Sequence, residues 1–191
     1  MLRVRNRLAR LVTEVFAPAV LVAALLLLVG WQAGGSGWWG VPAAVFAAGI
    51  PMAYVVRGVR RGRLGDHHIP DRKLRRGPLL FGAASSLVGT ALLAVLGAPR
   101  ELVALLAAGL TGLFVFAVVT LFWKMSFHTG VAAGTVAVLI AVYGPWAWLA
   151  APLVPLIGWS RLRLSAHTAP QVIAGALVGA AVAGTVFPVL R

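Results

Sequence analysis

Apolar runs of about twenty residues, separated by short polar or glycine-rich connections, set the rhythm of this chain. A helix needs about 20 residues to cross the hydrocarbon of a bilayer. Runs of that kind cover 15–31, a second stretch ending near residue 56, 78–96, 102–123 and 169–190. Turns fall at Gly34-Gly35-Ser36-Gly37, followed by Trp38 and Trp39, and at Gly97-Ala98-Pro99-Arg100. The run 131–159 is broken at Gly144-Pro145, with Trp146 and Trp148 beside the break. As one helix it would measure about 44 Å, so a hairpin of two short spans fits better, with a kinked helix as the alternative. The pattern predicts an all-α integral membrane protein, a bundle of about six or seven transmembrane helices in one domain, 1–191. A basic segment, 1–14, precedes the first span, and a basic loop, 57–77, joins the second span to the third. Along the last span, Gly175 and Gly179 are spaced for close helix packing.

Composition excludes the main alternative. Of the 191 residues, 61% are hydrophobic and 11% charged, against roughly 25% charged in soluble domains. Water could not accommodate so much apolar surface, whereas lipid can. There is no cysteine, so disulfides and thiol nucleophiles are excluded. The basic start followed by an apolar run resembles a signal peptide. The length of the run and the lack of a small-x-small cleavage site make it an uncleaved first span.

Charge then orients the bundle. Seventeen Lys and Arg stand against four Asp and Glu, a formal net charge of +13. In a soluble protein that balance would suggest nucleic acid; here it fits cytoplasmic loops, so no nucleic-acid partner is expected. With the hairpin counted, all but Arg100 and Arg191 of the 17 basic residues fall on one side of the membrane. The positive-inside rule makes that side cytoplasmic in the cell membrane. All four histidines, His67, His68, His128 and His167, share it, as do Asp66 and Asp71. An anionic lipid headgroup or phosphate would meet this basic face.

His167 and Gln171 are four residues apart where the last helix begins, so they share a face. The Gln can fix the tautomer and orientation of the imidazole. Arg161 carries a planar fork suited to phosphate. Pro170 suits a first helical turn, whose N-terminus favours an anion.

Ser160-Arg161, five residues, His167, three residues, Gln171 resembles the third motif of the type 2 phosphatidic acid phosphatase superfamily, which includes the vanadium haloperoxidases. Gln171 stands where that motif has Asp. Met125-Ser126-Phe127-His128 is similar to the second motif, Pro-Ser-Gly-His, with Phe127 in place of Gly. The segment from Asp71 to Pro78 has the charges of the first motif in a compressed spacing. A divergent branch with Gln at the Asp position and Lys-x-Ser-x-His as second motif looks like this chain, where Lys124 precedes Met125.

The resemblance implies metal-independent hydrolysis of a lipid phosphate, without a cofactor, through a phosphohistidine. His167 would be the nucleophile and His128 the acid and then the base. Arg161, Arg72, Lys73, Arg76, Lys124 and Ser126 would hold the phosphate, and Gln171 would orient His167. The substrate, a polyprenyl or glycerolipid monophosphate or diphosphate, would keep its tail in the bilayer. Asp66 or Asp71 could supply the carboxylate that Gln171 lacks. A non-catalytic protein that binds or moves anionic lipids would keep the arginines and tolerate the Gln. An intramembrane prenyltransferase would want paired Asp-rich motifs, and only Asp66-x4-Asp71 is present.

Overall fold

The computed structural model describes residues 2–34, 37–65, 67, 69 and 71–191, apart from the side chains of Leu2, Arg3 and Arg72. Gly35, Ser36, Asp66 and His68, singled out above, lie outside the described residues, as does the side chain of Arg72. Every regular element among the described residues is helical: α1 (Leu2–Val15), α2 (Pro18–Gly34), α3 (Gly40–Ala44), α4 (Ile50–Arg60), α5 (Arg76–Val95), α6 (Arg100–Phe122), α7 (Phe127–Tyr143), α8 (Leu153–Arg163) and α9 (Ala169–Leu190). A π turn over Val45–Gly49 fuses α3 and α4 into one span, Gly40–Arg60. Widening a helix to π geometry loosens its backbone ladder. Here Ser85 Oγ donates to the carbonyl of Phe46 at 2.6 Å, from the neighbouring α5.

The protein is a multi-pass helical membrane bundle. Among the described residues, five helices are long and apolar enough to span, and the bent pair Val4–Val15 with Pro18–Gly34, at 43°, brings the number to six if it is one span. The structure has five or six spans, against the expectation of about six or seven. The difference lies in α8, whose 11 residues rise only about 16 Å. The broken run is nonetheless a hairpin rather than one kinked helix. Gly144, at φ +73°, ends α7, and a 3₁₀ segment over Gly144–Ala150 leads into the turn. α8 then runs back beside α7, where Ile157 packs with Ala132.

Two further boundaries moved. The helix of the first apolar run begins at Pro18 rather than at residue 15, because Pro18 starts a new helix after the bend. The basic segment 1–14 is not a plain flank but the helix α1. Its buried face, Ala9 and Thr13, lies on α8, where Thr13 Oγ1 and Ser160 Oγ are 3.1 Å apart. The loop 57–77 is partly helical: α4 continues to Arg60, a 3₁₀ turn covers Arg72–Arg75, and α5 starts at Arg76.

The most extensively packed pair is α7 with α9. A Cβ on Gly179 would collide with the carbonyl of Gly130, and one on Gly175 with the carbonyl of Ser126. The two backbones therefore touch, as the small residues along the last span suggested. Thr129 ties the same seam by donating from Oγ1 to the carbonyl of Val172 at 2.9 Å.

The bundle has unlike ends. One carries the contacts of α1 with α8, the start of α7 and the start of α9. At the other, Arg100 donates to the carbonyl of Leu190, and Arg191 to that of Ala141. Trp146 and Trp148, like Trp31 and Trp38, are exposed near that end, as expected of a membrane–water interface.

Candidate functional site

The sharpest local geometry is at the start of α9. The chain leaves α8 at Leu164 and turns through Ser165, which sits at φ +52°. A non-glycine residue there is uncommon, and such positions cluster where a structure must aim a side chain. Two residues on, His167 is delivered to the wall of a cavity. Thr168 caps α9 in a reciprocal capping box with Gln171. Gln171 Oε1 accepts from the Thr168 N–H at 3.2 Å and lies 3.2 Å from His167 Nδ1. Because the backbone N–H needs an acceptor, the oxygen of the Gln amide is fixed on that side. Nδ1 of His167 is therefore the donor, and the Nε2 lone pair is left for chemistry.

The environment holds that imidazole neutral. The pKa of His167 is lowered from 6.5 to about 4, first by burial, then by the positive charges of Arg161, Lys124 and Arg75; the hydrogen bond to Gln171 opposes the shift. Burial and like charge both disfavour an imidazolium. Lys124 is itself lowered, by burial and then by Arg75 and Arg161. The three cations are thus close enough to repel one another and to act on one histidine.

Arg161 is buried at 6% exposure, in the last turn of α8. Its Nη1 donates to Thr13 Oγ1 at 3.4 Å, so α1 braces it. His128, in the first turn of α7, and Arg161, Arg75 and His167 line the same cavity. His67 lies at the cavity too, with Nε2 at 3.2 Å from both carboxylate oxygens of Glu14. The cavity holds about 340 Å³ and passes from this cationic group into an apolar interior lined by Phe116, Leu105 and Val138.

The expected site residues divide. His167, His128, Arg161, Lys124 and Gln171 come together. Ser126 does not offer its hydroxyl to the cavity. It is the N-cap of α7, fully buried, with Oγ accepting from the Thr129 N–H and its own N–H donating to the Gln171 carbonyl at 3.0 Å. A Ser at the first orphan amides of a helix serves that role well. Lys73 and Arg76 are exposed and lie outside the cavity wall. In a 3₁₀ turn, residues three apart eclipse, so this pair shares one outward face.

Arg75 takes the inward place, and the sequence reading missed it. Its Nε donates to the carbonyl of Ile69 at 2.8 Å. Ile69 is at φ +44°, an outlier for a β-branched residue that marks a constrained corner. The signal was present in Asp71, an N-cap residue opening the basic run, because a turn starting there sorts the following cations by threes. Asp71 accepts from the Lys73 N–H at 2.9 Å. It therefore caps the turn rather than replacing the missing carboxylate at His167, where the acting charges are all cationic among the described residues.

Comparison with protein families, with curated proteins and with solved structures finds no match.

Proposed function

We propose that the protein is a membrane lipid-phosphate phosphatase of the type 2 phosphatidic acid phosphatase kind, acting on its cytoplasmic face. One observation carries the reading. A neutral His167, with Nδ1 pinned by Gln171 and Nε2 free, stands among three cations at the mouth of an apolar cavity. Phosphoryl transfer asks for positioning and charge stabilisation above all. Arg161, Lys124 and Arg75 neutralise the phosphoryl oxygens, and Arg161 is the fork able to grip two of them.

The reaction runs in two steps. His167 Nε2 attacks phosphorus and forms the P–N bond while the P–O bond to the lipid breaks. His128, protonated, gives its proton to the departing lipid oxygen. A water molecule then loses a proton to His128 and attacks phosphorus, the P–N bond breaks, and inorganic phosphate leaves. Gln171 orients the nucleophile but adds no charge to stabilise the imidazolium-like transition state.

Purified full-length protein should release phosphate from lipid phosphates equally with and without EDTA. His167→Ala should lower the rate at least 10³-fold, the scale of losing a nucleophile. The wholly cationic field around His167 favours a second reading, a binder of anionic lipids without turnover. Binding of lipid phosphates with no phosphate released would replace the first reading by that one.

Sidedness rests on the basic residues of α1 and the 57–77 loop. The chain lacks cysteine, so single cysteines report cleanly. An impermeant thiol reagent on intact cells should label Glu101→Cys and spare Arg63→Cys. The reverse pattern would move the active face outside.

A further inference from the structure

We infer that the cavity takes one hydrocarbon chain inside the bundle, so that the ligand is a single-chain lipid phosphate whose tail leaves the bilayer. This deepens the phosphatase reading and rests on it for the position of the head group.

The argument starts from the stripe that α6 turns to the cavity. Leu105, Gly109, Gly112, Phe116 and Thr120 line it, at the spacing of one helical face. From Leu105 to Thr120 the helix rises about 22 Å. The cationic group of Arg75, Arg161 and His167 lies at one end. Leu25, Leu105 and Val138, all in the buried core, line the other. A polar group at one end and an apolar interior fit an amphiphile lying lengthwise.

The dimensions select its form. An extended chain advances about 1.1–1.2 Å per bond, by analogy with the backbone limit of about 3.3–3.6 Å per three bonds. Twenty-two ångströms therefore house roughly eighteen bonds. A volume of about 340 Å³ is near the lower end for a small-molecule site, about 300–1,000 Å³. At about 30 Å³ for a group the size of a water molecule, that volume takes roughly eleven methylene groups, the inner part of one such chain, with no room for a second tail beside it.

A way in is visible. Gly109 lines the cavity, is itself exposed, and has no atom within 4 Å of where a Cβ would stand. The wall carries no side chain there, in the middle of a membrane-spanning helix. A tail can slip in from the surrounding lipid without passing the charged mouth.

The test uses hexadecyl phosphate carrying a diazirine at the far end of its chain, with full-length protein in vesicles. After illumination, mass spectrometry should find the label on Leu25, Leu105 or Val138. Unlabelled hexadecyl phosphate should compete at least tenfold better than dipalmitoyl phosphatidate. Gly109→Trp, or Gly109→Leu if the larger residue misfolds, should cut deep labelling about tenfold. Leu87→Trp, on the exposed side of α5, should not.

Label confined to outward residues such as Leu87 and Leu177 would overturn the inference, as would equal competition by the two-chain lipid. Neither outcome depends on turnover. Deep labelling without phosphate release would keep the chamber and remove the phosphatase reading. Phosphate release with outward labelling would do the opposite.

Discussion

Two sets of glycines do opposite work in this bundle. In the seam between α7 and α9, Gly130, Gly175 and Gly179 let backbones touch, and a Cβ at any of them would strike a neighbouring atom. On α6, Gly109 faces open space and Gly112 meets only Val182, at 3.9 Å. The seam is rigid by close contact, and it carries the starts of the two helices that bear His128 and the His167–Gln171 pair. The α6 wall is open, and it borders the cavity. The same residue type thus fixes geometry in one place and leaves room in another, and only the surroundings tell which. A site needs both: reacting groups held still, and space beside them.

Substitutions can break this contrast or sharpen it. The largest effect is expected for Gly179→Ala. Backbone stands on both sides, so the cost should reach or exceed the usual overpacking range of about 1–3 kcal/mol. A thermal melt in detergent should fall by about 2–4 °C for each kcal/mol. An unchanged melt would mean that the seam is not tight.

An intermediate effect belongs to Gln171, which works at the top of the seam. Gln171→Ala removes both the hydrogen bond to His167 and half of the capping box. The phosphate-release rate should fall by about 1–3 kcal/mol, the cost of an unmet buried hydrogen bond. Gln171→Asp adds an anion, which raises an imidazole pKa. In the proposed reaction the neutral form is the nucleophile, so the rate should fall as pH drops through that pKa. The wild-type acid limb should therefore stand near the value of about 4, and the Asp variant should move it to higher pH. A histidine-labelled NMR titration reads the same shift without turnover. If the limb stays in place, Gln171 does not govern the charge on His167.

The smallest effect is expected for Gly109→Ala, within about 0.5 kcal/mol in the same melt. A loss as large as that of Gly179→Ala would erase the distinction between seam and wall.

The spanning helices were legible because twenty apolar residues admit few other fates. The His167–Gln171 pair was legible because a spacing of four on a helix is itself a geometry. Thr13 was not, since one hydroxyl in a basic segment carries no sign of the arginine it will brace. Ser126 was misjudged for a related reason: Ser before a helix is as good a cap as it is a phosphate ligand, and the cap won. Arg75 was missed because its inward turn depends on a 3₁₀ twist of four residues, too short to leave a periodic trace. The short α8 defied the count of spans because its apolar run continues through the preceding 3₁₀ segment. Hydropathy sees that run, but not where the helix starts.

The contact between Thr13 and Arg161 joins residues 148 positions apart. During synthesis the N-terminal helix leaves the ribosome long before its arginine exists. The guanidinium of Arg161 gains its brace only after α2 to α7 have entered the membrane and α8 has folded back. His167 follows six residues later, and its Gln partner four after that. Assembly of the charged cluster is thus the last act of insertion, and a chain arrested before α9 carries 16 of its 17 Lys and Arg but lacks the glutamine that fixes His167.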